Sequence, residues 1–206
     1  MDVAPGFVPS PWIIDDLTNC GWSTIPAFLP APSIRALAAE AAASWTDGTF
    51  HPAGVGRGAA EQRRAETRSD HVHWLDEGTA SVAQLDYFGH MEGMRLQIEA
   101  QLYLGSASVE AHMALFETGS FYHRHTDALA GASTRVLSTV LYLSDDWLAT
   151  DGGALRLYLP GAEGETTHDI YPLSGTLALF LSDDLEHEVL PATRDRLSIT
   201  GWMLRR

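Results

Sequence analysis

The chain has 206 residues, with 13 basic residues, every one an arginine, against 27 acidic, for a formal charge of −14. That balance excludes a nucleic-acid binder, because phosphate contacts need clustered positive charge. A single cysteine, Cys20, excludes an intramolecular disulfide and suits a reducing compartment.

No apolar run approaches the roughly 20 residues of a membrane span, and the start MDVAPGFVPSPW lacks a signal-peptide pattern, so a cytoplasmic protein with no membrane partner is expected. At this length one domain can bury about 70% of its unfolded surface without help from a metal or a disulfide.

Residues 1–24, rich in Pro, Asp and Gly, read as an irregular N-terminal arm ahead of a single domain over 25–206. Helical support is expected over 25–105. One helix begins near Pro32, with Ile34, Leu37, Ala38, Ala41 and Trp45 at helical spacing. The stretch 47–70 carries Gly48, Gly54, Gly56 and Gly58 with Arg57, Arg63, Arg64 and Arg68, and reads as a long loop. A second helix is expected from Thr79 to Leu102, with Val82, Leu85, Met91, Met94, Ile98 and Leu102 on one side. After Gly105 come short apolar runs at 109–116, 135–143, 154–159, 176–182 and 197–204, separated by SDD, TDGG, PGAEGE and PLSG turns. This pattern predicts a mainly β fold, a jelly roll over 106–206 with the helices backing one sheet.

The segment SFYHRHTD places His123, His125 and Asp127 two apart. In a strand rising about 3.3 Å per residue, such side chains share a face and can grip one ion. A third histidine, His187, follows the apolar run TLALFLS, and Arg196 comes nine residues later. Two histidines and one carboxylate form the facial triad of non-heme Fe(II) oxygenases, which leaves positions open for a cosubstrate and O₂. His125, Asp127 and His187 are therefore sufficient for redox iron. An arginine nearby offers a planar fork for the remote carboxylate of an oxo-acid. A cupin site would need a glutamate soon after the second histidine, and none lies between Glu117 and Glu163.

The run HRHTD…RVLSTVLYLSDDW…GGALRLY…HEVLPATRDRLSITGW resembles the 2-oxoglutarate- and Fe(II)-dependent prolyl hydroxylases of the oxygen-sensing type and their bacterial relatives. The likeness extends more faintly to TRSDHVHWLDE (67–77) and IPAFLP (25–30). It implies a double-stranded β-helix with Fe(II), 2-oxoglutarate and O₂ as cofactors, ascorbate as a stimulant and a polypeptide as substrate. It also implies His125, Asp127 and His187 as iron ligands, Arg196 and Tyr142 on the cosubstrate carboxylate, and Leu155, Thr200 and Trp202 around the cosubstrate and metal. Arg135, Arg68 and Asp70 are then expected beside the substrate. Phe116 stands where relatives carry a tyrosine.

His123 is expected outside the metal sphere, Arg194 in a turn, and Glu186 and Glu188 on the solvated face opposite His187. Oxidation of a small molecule and a non-catalytic binding module are the competing readings. The 47–70 loop is expected to act as a lid over a polypeptide substrate.

Overall fold

A computed structural model describes residues 11–54, 64–127, 134–161 and 164–205. The chain enters through helix α1 (Pro11–Cys20), where the sequence suggested an irregular arm. Proline is tolerated in a first helical turn because its missing N–H has no intrahelical partner there. Ile13 and Leu17, one turn apart, are both buried in the main core, so this segment is part of the domain. Two core positions in ten residues are too few to show a period against the flanking Pro, Asp and Gly. Gly21, at φ +77°, closes the helix with N–H bonds to the carbonyls of Asp16 and Leu17. The chain then runs into β1 (Trp22–Ile25).

Helix α2 (Ala31–Thr46) follows Pro30 and buries Ile34, Leu37 and Ala41 with Ala38 packed beside them, as its spacing predicts, but Trp45, expected on that face, is exposed at the helix end. Two short strands come next, β2 (His51–Pro52) and β3 (His71–Trp74). Helix α3 (Val82–Leu102) is capped by Ser81, whose Oγ accepts from the Gln84 N–H at 3.1 Å. Its buried face is Tyr87, Phe88, Met91, Met94, Arg95 and Ile98. Val82 and Leu85, expected inside, are exposed: at about 100° per residue they lie on the side opposite Met91, Met94 and Ile98.

The remaining strands are β4 (Ser106–Phe116), β5 (Tyr122–His125), β6 (Arg135–Tyr142), β7 (Leu155–Leu159), β8 (Thr166–Ile170), β9 (Leu177–Leu181), β10 (Glu186–Val189) and β11 (Arg196–Arg205). They form a seven-stranded sheet, β1-β9-β6-β11-β4-β3-β2, and a four-stranded sheet, β5-β10-β7-β8. Every pairing is antiparallel. The jelly roll predicted from the turn spacing is the fold observed.

Period-two alternation in the large sheet builds two cores from the same strands. Met113, Leu115, Leu137, Leu141, Leu177, Leu179, Ile199 and Met203 face the helices and pack with Ile34, Leu37, Met91, Met94 and Ile98. Ala114, Phe116, Val140, Tyr142, Ala178 and Phe180 face the small sheet, meeting Leu155, Leu157, Ile170, Leu185 and Val189. On β11 the helix side belongs to Leu197, Ile199 and Met203, so Arg196, Ser198, Thr200 and Trp202 take the inter-sheet side. Gly201 lies where α3 presses on the sheet. A Cβ there would sit 2.9 Å from the Tyr87 hydroxyl oxygen and 3.0 Å from Thr139 Oγ1.

Because α1 closes the helix-side core, Leu17→Ala is expected to cost about 3 kcal/mol of stability, within the range for buried Leu→Ala changes. Urea denaturation checks this; a loss under about 0.5 kcal/mol, the size of a surface change, is what a loose arm would give.

Candidate active site

Strands β5 and β10 are neighbours in the small sheet, with His125 directly opposite His187 in the register. The two rings lie 4.2 Å apart between centroids. Asp127 follows two residues beyond His125, with Oδ1 3.6 Å from His125 Nε2 and Oδ2 3.8 Å from His187 Nε2. One ligand atom from each of the three residues falls within 4.8 Å of the others, the one such cluster found among the described residues.

Backbone carbonyls fix both imidazoles. His125 Nδ1 lies 2.8 Å from the His123 carbonyl oxygen and His187 Nδ1 lies 3.2 Å from that of Leu185. A carbonyl only accepts, so each Nδ1 carries a proton, and in the neutral ring that leaves the Nε2 lone pair for a metal. Burial, helped by the His125 imidazole, pushes His187 down to about 4, so it is neutral at pH 7. Burial works against ionisation of Asp127, but His187, His125 and Arg135 hold its carboxyl well below the ordinary range. A neutral His187 and an ionised Asp127 are the protonation states that a divalent ion requires of them. His123 is exposed, stacks on Phe121 with 4.4 Å between centroids, and lies outside the cluster.

The second feature is Arg196, at the start of β11. It is 1% exposed, has no carboxylate partner among the described residues, and leaves Nε buried without a hydrogen bond. Its guanidinium carbon is 5.0 Å from the Phe116 ring and 5.0 Å from the Tyr142 ring. The Tyr142 hydroxyl is also buried without a partner. Burial pushes it up, partly offset by the arginine's charge. A buried cation lacking a counter-ion costs several kcal/mol, so this pair fits an anionic ligand. Leu155 lies in the same inter-sheet layer, and Thr200 is half-buried opposite Val140. Gly153, at φ +68°, lets the TDGG turn close on the arginine stem; a Cβ there would be 3.5 Å from Arg196 Cδ and 3.0 Å from Trp147 Cζ2. Arg194 lies in a turn, donating to the Asp145 and Asp146 carbonyls at 3.3 and 3.2 Å.

The residues expected near a substrate flank the triad as ion pairs. Arg68 binds Asp70 through Nε and NH2 at 2.7 and 2.6 Å, and its guanidinium carbon lies 4.2 Å from the Tyr122 ring. Tyr122 in turn stacks on His125 at 3.5 Å and 14°. Burial chiefly pushes its hydroxyl up to about 12. The sequence reading missed Tyr122 because three residues along a regular strand put two side chains on opposite faces. A register irregularity between β5 and β10 brings the rings together.

Arg135 donates to Glu110 at 3.2 and 3.1 Å, with its guanidinium carbon 3.4 Å from the Trp202 ring. Trp202 Nε1 donates to Asp127 Oδ2 at 2.9 Å. Glu186 and Glu188 face outward as expected but are paired, Glu186 with Arg124, and Glu188 accepting from the Tyr158 hydroxyl at 2.7 Å. Residues 55–63 of the expected lid lie outside the described residues.

Residues 111–204 match the model of the 2OG-Fe(II) oxygenase superfamily. The crystal structure of a Pseudomonas putida prolyl-4-hydroxylase is similar over 95% of this chain and 98% of that one, at 42% identity and a TM-score of 0.84. A prolyl hydroxylase from Trichoplax adhaerens, solved in complex with a hypoxia inducible factor oxygen degradation domain peptide fragment, shares the fold, with a TM-score of 0.82 at 23% identity. It is covered over 87% of its length and covers 93% of this chain. The hypoxia-inducible factor prolyl hydroxylase of Caenorhabditis elegans is 29% identical across 93% of this chain. The chain spans 28% of that protein's length, 20% of an Ostreococcus tauri prolyl 3,4-dihydroxylase and 35% of mouse Egl nine homolog 1.

Two measurements test this geometry. His125→Ala is expected to abolish Mn(II) binding in calorimetric titration, whereas His123→Ala keeps it; loss in the His123 variant alone contradicts the ligand set. The second concerns His112, buried between Trp74 and Trp202 and pushed down to about 4 by burial and then by Arg68. Between about pH 6.5 and 4 the unfolded chain binds the proton that the folded one refuses, so stability falls on acidification. His112 alone accounts for on the order of 2 kcal/mol between pH 7 and 5. In metal-free protein His112→Gln should flatten that part of the urea-midpoint profile, and an unchanged slope would place the acid sensitivity elsewhere.

Proposed function

Since the chain belongs to the 2OG-Fe(II) oxygenase superfamily, we propose that it is a dioxygenase hydroxylating a C–H bond, with a prolyl residue of a polypeptide as substrate. The observation that carries this reading is the pairing, within one inter-sheet layer, of a His-Asp-His cluster with a buried arginine that has no counter-ion. Fe(II) would be held by His125 and His187 through Nε2 and by the Asp127 carboxylate. The remote carboxylate of 2-oxoglutarate would be held by the Arg196 guanidinium and the Tyr142 hydroxyl; the arginine Nε and that hydroxyl are buried with no hydrogen-bond partner among the described residues. When bound, iron and cosubstrate supply the chemistry: with O₂, 2-oxoglutarate is oxidatively decarboxylated to succinate and CO₂, and the second oxygen atom becomes a hydroxyl on the substrate.

This chain's residues supply position and dryness. Leu155, Val140, Phe116 and Phe180 exclude water from the layer in which the carboxylate would sit, and exclusion of water strengthens the Arg196 contact. Phe116, opposite Arg196 in the register, offers no hydroxyl, so the anion depends on the arginine and Tyr142. Arg68 with Asp70 and Arg135 with Glu110 flank the metal cluster and would line the path of a peptide. The proline assignment draws its support from the 42% identity to the Pseudomonas putida prolyl-4-hydroxylase.

The experiment is incubation with Fe(II), 2-oxoglutarate and proline-containing peptides, reading succinate and a one-oxygen mass gain on proline. Succinate stimulated by a free amino acid and never by peptide would move the substrate to a small molecule. Arg196→Ala should weaken 2-oxoglutarate binding by roughly 10²–10³-fold, as truncating one partner of a buried charge pair costs about 3–5 kcal/mol, with Mn(II) binding unaffected. Arg194→Ala should stay within about threefold, the scatter of an exposed site; equal losses in the two variants would place the carboxylate elsewhere.

A further inference from the structure

Asp127 lies two residues past the end of β5. Two side chains of the opposite sheet reach it. Ser138 Oγ donates to Asp127 Oδ2 at 2.6 Å, and Trp202 Nε1 donates to the same oxygen at 2.9 Å. Ser138 and Trp202 are direct register partners on β6 and β11, so both donors come from one cross-strand pair. Behind Ser138 lies Ser182, with the two hydroxyl oxygens 2.8 Å apart and both residues 0% exposed.

The proton directions follow from the groups. A carboxylate only accepts, so the single Ser138 proton points at Asp127; the Ser138–Ser182 contact must then use the Ser182 proton. Trp202 Nε1 is a donor only. Oδ2 therefore receives two hydrogen bonds, while Oδ1 faces His125 Nε2 at 3.6 Å. Ser182 also begins the turn that leads to His187, its backbone N–H bonding the Val136 carbonyl at 3.2 Å.

We propose that Ser138, backed by Ser182, is a positioning residue that turns Asp127 so that Oδ1 is the oxygen presented to the metal. The relay ties the aspartate and the turn leading into β10, the strand of His187, to one point on β6. A bare serine pair at these two positions would be two buried hydroxyls satisfying each other; the third member, a carboxylate in the metal cluster, gives the pair a direction. This inference rests on the reading of Asp127 as a ligand.

The test is calorimetric Mn(II) titration of four variants, with circular dichroism as the check on folding, and the absorption spectrum of the Co(II)-substituted protein as a second readout. Ser138→Ala should weaken Mn(II) binding by roughly 10-fold or more, the usual effect of removing an outer-sphere partner. Ser138→Thr, which keeps the hydroxyl, should restore most of the affinity and the wild-type Co(II) spectrum. Ser182→Ala should weaken binding in the same direction by a smaller factor. Asp127→Ala separates the two levels. If it binds Mn(II) as well as wild type, the ligand reading itself fails. If it loses the metal while folded Ser138→Ala keeps full affinity and an unchanged Co(II) spectrum, the relay is overturned. A Ser138→Thr variant that folds but binds no better than Ser138→Ala overturns it too.

Discussion

The register of β11 between β4 and β6 is the constraint on which the rest depends. It pairs Arg196 with Phe116, Ser198 with Tyr142, Thr200 with Val140 and Trp202 with Ser138. Since side chains alternate with period two, a slip of one residue would send Leu197, Ile199 and Met203 into the inter-sheet layer and bury Arg196 against the helices. The helix-side core, filled by α1, α2 and α3, fixes that register through ordinary apolar packing. The chemistry in the other layer thus rests on a hydrophobic interface that never touches it.

Charge is handled differently on the two sides of the site. At its flanks the cations are paired within the chain, Arg68 with Asp70 and Arg135 with Glu110. In the centre they are not. Arg196 keeps its charge in an apolar layer with no carboxylate partner among the described residues, and Asp127 faces two imidazoles whose Nδ1 atoms are tied to backbone carbonyls. A fold selected only for stability gains from replacing such groups by apolar ones. Their retention here makes sense as a layer completed by a divalent cation and a dianion.

Much of this was legible in the sequence because its signals are local. The alternating apolar runs gave the long strands, and the spacing of His125, Asp127, His187 and Arg196 gave the centre of the site. What was hidden depends on the third dimension. Helix α1 buries just Ile13 and Leu17 fully, with Ile14 packed beside them, so it read as an irregular arm. Val82 and Leu85 were placed inside α3, where Tyr87 and Phe88 are the residues that turn inward. Strand β8, TTHDI, is exposed along most of its length and carries no hydrophobic pattern. Tyr122 reaches His125 only through a register irregularity, and the Ser138–Ser182 relay joins residues 44 apart that look in sequence like filler in apolar strands.

The most direct test of the central claim, that one inter-sheet layer binds a metal and a dicarboxylate together, is anaerobic titration of 2-oxoglutarate into the Fe(II)-loaded protein. Its readout is the visible charge-transfer absorption that arises when a 2-oxo acid chelates Fe(II). The account predicts a saturable band reaching one equivalent per chain. Iron binding without any such band, or a band that never saturates, would contradict it.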